Sequence, residues 1–383
     1  MPRKPLPPGY EPGTIVSARP PAEPGDWESV MIPQGPAYIR RLSQAERMQS
    51  ELSTGLGMFT IVTAPADIGE HQALALREQL LDERHFTWLL SETGMVMTPD
   101  GKVLCILLRN RLSQKLLDEV RPVIRKAARQ KVAGGNRGAA AGTGMVPRRR
   151  KDGSISKMKG VPKLEDLSDE DYKRLKPAKD GTFGYNGRGL RGGQVYPCRQ
   201  TMYSGALPSE LRVMGNLAKE VGEAFRHSLV QQAWEAQNNR ASHTPPSFLI
   251  KTPGAGVTPF TTITCNKSYR TAAHIDDGDL KEGFGVMSCL GDFGGCDLVF
   301  PRYKTAVRYR EGDILLADVH QVHGNTPLLN PDDTEPERDR EPERLTCVFY
   351  FQENMDQCLS TVEEEMEFVN NRKKGDPIFP RKS

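Results

Sequence analysis

The sequence predicts an α+β fold: a jelly-roll or barrel core of short strands with helices flanking it. Two observations predict this. Between Thr261 and Phe351, short runs rich in aromatic and β-branched residues are separated by Gly-containing turns. Upstream, Leu112 to Lys131 and the stretch after Pro208 carry apolar residues at helical spacing instead.

Taking the core in order, Phe260-Thr261-Thr262-Ile263-Thr264 is a strand candidate, and so is Gly283 to Leu290. Gly291 to Gly295 reads as a turn, with Cys296 to Phe300 returning as a hairpin partner. Ala306 to Tyr309 is a short strand, Gly312-Asp313 a turn, Ile314 to Val319 a strand, and Leu345 to Phe351 the last.

The flanks read as follows. Residues 1–50 form an irregular Pro-rich arm. Residues 51–132 supply α/β elements that pack on the core. In them Met58 to Ala64 is a strand and Pro65 opens a helix to about Arg84. Gly94 to Leu108 is a hairpin around Pro99-Asp100-Gly101. Leu112 to Lys131 is a helix with Pro122 inside it. Residues 133–182 form a flexible basic insert, Gly/Ala-rich and then cationic from Arg148 to Lys159. It is a solvated linker or an arm that follows phosphates. Ser168 to Tyr172 would start a short capped helix.

The core spans residues 183–370. It begins with the Gly/Arg/aromatic run Phe183 to Gly193, either a surface loop beside a site or an RGG-like binding loop. A helix from Pro208 to about Gln237 follows, then a strand at Phe248-Leu249-Ile250. Val362 to Val369 is an acidic helix, and residues 371–383 are a basic tail.

At 383 residues the chain can bury a sizeable core. A formal net charge of +3 means that nucleic-acid contact would need a local basic surface. No apolar run approaches the roughly 20 residues of a membrane span. Met1-Pro2-Arg3-Lys4-Pro5 has no apolar signal core, so secretion by that route is not expected. Seven cysteines without a CxxC pair fit a reduced intracellular compartment.

The chemistry concentrates at His274-Ile275-Asp276 and His323. In an extended segment alternate side chains share a face, so His274 and Asp276 can reach one metal ion. A distant second His completes a 2-His-1-carboxylate facial triad, which suits Fe(II) and leaves positions open for a co-substrate and O2. His320 competes with His323 for the third position. His71, His85, His227 and His243 have no partner spacing. Arg344, on the last strand, offers a bidentate fork for a carboxylate, and Thr346 points the same way. The alternative for Arg344 is a surface ion pair with a nearby glutamate.

These residues carry a resemblance. His274-x-Asp276, the Gly291-Asp292-Phe293-Gly294-Gly295-Cys296-Asp297-Leu298 turn, Gly312-Asp313, His323-Gly324-Asn325-Thr326-Pro327 and Arg344 resemble the double-stranded β-helix core of the Fe(II)/2-oxoglutarate dioxygenases. Within these they look like the TET/JBP family of nucleic-acid base oxygenases, fungal and algal TET-like proteins in particular. The likeness covers roughly residues 258–352.

The resemblance implies Fe(II), 2-oxoglutarate and O2 as cofactors, with ascorbate as a stimulant. It implies His274, Asp276 and His323 as metal ligands, and Arg344, Thr346 and Arg270 at the co-substrate. The family contacts a flipped base with a polar residue three after the HxD carboxylate, here Asp279. An aromatic six after the strand Arg stacks on the base, here Tyr350. Eight after it the family usually has a His, here Gln352, and an amide changes the hydrogen-bond code. The implied activity is oxidation of 5-methylcytosine in DNA by a monomeric nuclear enzyme. N6-methyladenine or thymine oxidation by the same core is the first alternative. A catalytically inactive nucleic-acid-binding domain and a protein or small-molecule hydroxylase are the others.

Overall fold

The computed structural model describes residues 14–17, 28–32, 35–41, 60–128, 148–149, 155–156, 179–191, 194–252, 254, 256–337 and 340–370. The core strands are β1 (Lys179–Asn186), β2 (Thr262–Lys267), β3 (Gly285–Leu290), β4 (Leu298–Phe300), β5 (Thr305–Val307), β6 (Ile314–Ala317), β7 (Gly324–Asn325) and β8 (Leu345–Tyr350). They form two sheets. The larger runs β1-β2-β8-β3-β6 and continues through Val103–Leu108, Gly94–Met97 and Thr60–Thr63. The smaller runs β7-β4-β5, with Trp88–Leu90 added in parallel at β5. The chain crosses between sheets after β3, β5, β6 and β7, which is the winding of a double-stranded β-helix.

Strand alternation explains the two packing layers. Met287, Cys289, Leu315 and Ala317 of the larger sheet meet Leu298, Phe300 and Val307 of the smaller one. Val286, Leu290, Ile314 and Leu316 point the other way, against helices α1 (Gln114–Ala127) and α2 (Pro208–Arg226). In α1, Ser113 caps the first turn by accepting from the Leu116 N–H, and Leu117, Val120 and Ile124 are buried against the sheet. Each such side chain contributes about 1.5–3 kcal/mol by leaving water. Pro122 lies inside α1 without ending it.

Several expectations need correction. The Gly291–Gly295 turn does not close a hairpin, because β3 and β4 belong to different sheets. Gly291, at φ 109°, passes so close to the Glu343 carbonyl that a Cβ there would lie 2.0 Å from it. The helix expected from Pro65 to Arg84 is confined to Glu70–Leu74, with a 3-10 turn at Glu83–His85. Glu78 N–H donates to Ala273 O at 2.7 Å, and Ala273 N–H donates to Gln79 O at 2.8 Å. Those backbone groups brace the segment before His274 and are lost to a longer helix.

The helix expected from Pro208 to Gln237 is two, α2 and α3 (Gln231–His243). The break at Ser228 lets Trp234 meet Phe225 edge-on, 5.4 Å between centroids. Phe248 ends a 3-10 turn, Pro246–Phe248, and the strand that follows is Lys251–Thr252. Pro245 and Pro246 have no N–H to give a ladder. The run from Phe183 is strand as far as Asn186, turns at Gly187-Arg188 and resumes at Gly189–Arg191. β1 begins at Lys179, ahead of the boundary expected at 183.

The arm within residues 1–50 holds strands Thr14–Ser17, Glu28–Ile32 and Gly35–Arg41, which extend the larger sheet past Thr60–Thr63. Of the basic insert ahead of β1, the pair Arg148–Arg149 and Ile155–Ser156 is described. The expected helix start at Ser168 to Tyr172 and the tail 371–383 lie outside the described residues. The acidic helix is α4 (Thr361–Asn370). Cys198 and Cys358 form a disulfide, Cα–Cα 5.7 Å, where fully reduced cysteines were expected; the other five are free and buried. The pair comes together because both flank the cluster of Tyr185, Phe248, Phe351 and Met355.

Candidate active site

His274 and His323 belong to a two-residue antiparallel bridge at the mouth of the core. His274 Nδ1 faces Ala272 O at 2.8 Å, and His323 Nδ1 faces Gln321 O at 2.9 Å. Each carbonyl fixes its ring with the proton on Nδ1 and leaves Nε2 as a lone-pair donor. Both Nε2 atoms look at Asp276: His274 at 3.4 Å from Oδ1 and His323 at 3.7 Å from Oδ2. The three ligand atoms all lie within 4.8 Å of one another. Burial, then the neighbouring His274, lowers the His323 pKa to about 4, so its imidazole is neutral at pH 7. Two imidazoles, each with Nδ1 on a backbone carbonyl, and one carboxylate on one side of a point fit Fe(II).

His320 is outside this group. Its Nδ1 is 3.3 Å from Asp318 Oδ1 and its Nε2 is 3.5 Å from Asp279 O.

Arg344 enters the core at the start of β8 and is 3% exposed. Its guanidinium lies between Phe293 and Tyr309, at 5.6 and 5.3 Å from their ring centroids. NH1 donates to Tyr269 O and NH2 to the Tyr309 hydroxyl, while buried Nε has no partner among the described residues. No carboxylate among the described residues lies within 4.0 Å of it, in contrast to the expected alternative of a surface ion pair. A buried cation with an orphaned donor is costly, which fits a carboxylate-bearing co-substrate. Thr346, on the same face two residues on, accepts from Asn266 Nδ2 at 3.4 Å.

Arg270 departs from its expected role. Its Nε donates to Asn325 O and its NH2 to Leu81 O, so its fork holds the end of β7 to the segment before Asp82. The backbone turn at Ser268, φ 46°, carries the chain away from β2 and sends Arg270 there.

The expected base residues come together. Asp279 and Gln352 form an antiparallel bridge, and both line a pocket of about 320 Å³ with Gly187, Arg188, Gly278, Tyr350, Glu353 and Asn354. Burial, then the charge of Asp276, pushes the Asp279 carboxyl up. The Tyr350 hydroxyl is 3.2 Å from Thr264 Oγ1. Gln352 is the exception to expectation: its side chain already serves the protein. Oε1 accepts from Gly187 N–H at 2.9 Å, and Nε2 donates to Tyr185 O and Thr262 Oγ1, each at 3.2 Å. Sequence reasoning missed Arg188 and Tyr309. The Gly-Arg-Gly run marked a loop beside a site, whereas nothing marked Tyr309.

Comparison with known proteins follows the geometry. Residues 185–353 match the Tet_JBP model, described as the oxygenase domain of the 2OGFeDO superfamily. The chain is 33% identical over 160 residues to thymine dioxygenase JBP1 of Leishmania braziliensis, across 42% of this chain and 18% of that protein. It is 47% identical over 76 residues to the bifunctional helicase and thymine dioxygenase JBP2 of Leishmania infantum, across 20% of this chain and 7% of that protein. The chain thus spans less than a fifth of the length of these curated relatives. Among solved structures, NgTET1 in complex with 5mC DNA aligns with a TM-score of 0.45 at 12% identity, over 80% of this chain and 100% of that one.

Proposed function

Residues 185–353 belong to the Tet_JBP family of oxygenase domains in the 2OGFeDO superfamily, and we propose from that premise that the chain oxidises the 5-methyl group of a pyrimidine in DNA, 5-methylcytosine first. One observation carries this reading. Asp276 of the His274, Asp276 and His323 donor set accepts at its carbonyl from the Asp279 N–H at 3.2 Å, and Asp279 lines a pocket with Tyr350.

His274, Asp276 and His323 would hold Fe(II). Bound there, iron supplies O2 activation coupled to decarboxylation of 2-oxoglutarate. In the net reaction, 2-oxoglutarate, O2 and the methyl group give succinate, CO2 and the hydroxymethyl base. Further rounds would carry the same carbon to higher oxidation states. Arg344 anchors the distal carboxylate of 2-oxoglutarate, a role supported by its buried Nε, which has no partner among the described residues. Tyr350 presents a ring face to an extruded base. Asp279, through a carboxyl oxygen, accepts from the exocyclic amine of cytosine, which thymine lacks. Stimulation by ascorbate, phosphate contacts through Arg148 to Lys159, a nuclear location and a monomeric state belong to the same proposal.

A second reading, thymine as substrate, is favoured by the names of the curated relatives, which are thymine dioxygenases. The test is incubation of the full chain with Fe(II), 2-oxoglutarate and duplexes bearing 5-methylcytosine, thymine as the sole methylated base, or N6-methyladenine, followed by nucleoside mass spectrometry. 5-Hydroxymethylcytosine is the expected product. 5-Hydroxymethyluracil alone would transfer the assignment to the second reading. Loss of N6-methyl alone, or no product, would overturn both.

A further inference from the structure

The pocket that Asp279 lines is also lined by the turn at Gly187-Arg188, between β1 and the strand Gly189–Arg191. Gln352 holds this turn with all of its amide chemistry. It accepts from Gly187 N–H and donates to Tyr185 O and Thr262 Oγ1, joining the end of β1 to β2 and to the bridge at Asp279. With its carbonyl and both N–H groups in use, the amide has little left for a ligand.

Arg188, the next residue, is held by α4. Its Nε donates to Glu364 and its two terminal nitrogens to Glu367. Glu364 is itself 1% exposed and anchored by Cys198 N–H at 2.8 Å and Leu359 N–H at 2.7 Å. These contacts take three of the five guanidinium N–H groups. Among the described residues the other two have no acceptor, on a cation whose place is fixed before any ligand arrives.

We propose that Gln352 is a positioning residue, which fixes the Gly187-Arg188 turn so that the Arg188 guanidinium donates to the O2 carbonyl of a flipped pyrimidine in the pocket that Asp279 lines. The chemistry is selective by class. Cytosine and thymine both carry O2 beside the ring N3, while adenine has a C–H at the corresponding edge and offers Arg188 no such acceptor. Arg188 therefore separates pyrimidines from N6-methyladenine, whereas Asp279 separates the two pyrimidines. This inference rests on the base-oxidation reading above.

The test uses the full chain as wild type, Gln352→Ala, Gln352→Glu and Arg188→Gln. Steady-state kinetics and fluorescence anisotropy are measured on 5-methylcytosine and N6-methyladenine duplexes. Gln352→Ala should raise KM for the methylcytosine duplex about tenfold with a much smaller change in kcat, and leave KM for 2-oxoglutarate alone. Gln352→Glu, which can still accept from Gly187 N–H but loses both donors, should fall between. Arg188→Gln should cut the preference for the pyrimidine duplex about tenfold. A Gln352→Ala protein that melts lower yet keeps its KM for DNA would make the residue merely structural and overturn the proposal. Unchanged selectivity in Arg188→Gln would do the same. Wild-type turnover decides the base-oxidation reading separately. Anisotropy ratios between variants decide this inference even without turnover.

Discussion

His274 and His323 exchange both backbone hydrogen bonds, His274 N–H to His323 O at 2.8 Å and His323 N–H to His274 O at 2.9 Å. Their ring centroids are 4.3 Å apart. The approach of the two imidazoles is therefore set by main chain, which no side-chain substitution removes. His274→Ala, Asp276→Ala and His323→Ala should each lower turnover by more than about 100-fold, beyond the 10–100-fold typical of residues that only orient metal ligands. Fe(II) binding should be lost with turnover, and circular dichroism should stay close to wild type. His320→Ala should keep iron, since His320 is bonded to Asp318 outside the donor set. Iron binding that survives His323→Ala and fails in His320→Ala would reverse the ligand assignment.

Arg344→Ala should raise the 2-oxoglutarate KM steeply. A charge-assisted hydrogen bond contributes roughly 1.5–3 kcal/mol, or about 10- to 150-fold in affinity. Arg344→Lys should recover little of this, because an ammonium cannot reproduce the planar fork between Phe293 and Tyr309. Turnover measured against 2-oxoglutarate concentration checks it. An unchanged dependence would remove Arg344 from the co-substrate site.

Cys198 and Cys358 are separated by 160 residues in sequence, so their bond closes a long loop of the unfolded chain. Reduction, or Cys198→Ser, should cost about 2–4 kcal/mol of stability. Thermal melts with and without a dithiol reductant measure it. A melting temperature indifferent to reductant would mean that the two cysteines are not bonded in solution.

The core strands were legible because their alternation is strong: Met287 and Cys289 face one layer, Val286 and Leu290 the other. The clustering of His274 and Asp276 was legible because alternate side chains of an extended HxD share a face. What was hidden depends on distant partners. Gly291 to Gly295 has the residues of a hairpin turn, and only the Glu343 carbonyl beside Gly291 reveals that the chain changes sheets there. The apolar periodicity from Pro65 continues past Leu74, but Ala273 takes the backbone bonds at Glu78 and Gln79. Gln352 and Arg270 have the right chemistry for ligands, and nothing local shows that Tyr185, Gly187, Leu81 and Asn325 already use it.

In the proposed function Asp279 carries the choice of base. Its N–H donates to Asp276 O at 3.2 Å, and the neighbouring bonds Leu280 N–H to Phe351 O and Glu353 N–H to Gly278 O hold the pocket edge by main chain. Truncating the carboxyl group should thus leave the wall standing and remove one acceptor. With 5-methylcytosine the methyl is on the ring beside the exocyclic amine, so Asp279 can accept from that amine while the methyl faces the donor set. With N6-methyladenine the methyl is on the amine itself, so the nitrogen must turn to the donor set and away from Asp279. Asp279→Ala should therefore cost 5-methylcytosine about 10- to 100-fold in kcat/KM and any adenine activity far less. Asp279→Asn adds an N–H donor suited to thymine O4, and should move the balance from cytosine towards thymine. Competition assays on a duplex bearing both bases, read by nucleoside mass spectrometry, measure the ratio directly. Untouched 5-methylcytosine oxidation in Asp279→Ala would take this residue out of base reading.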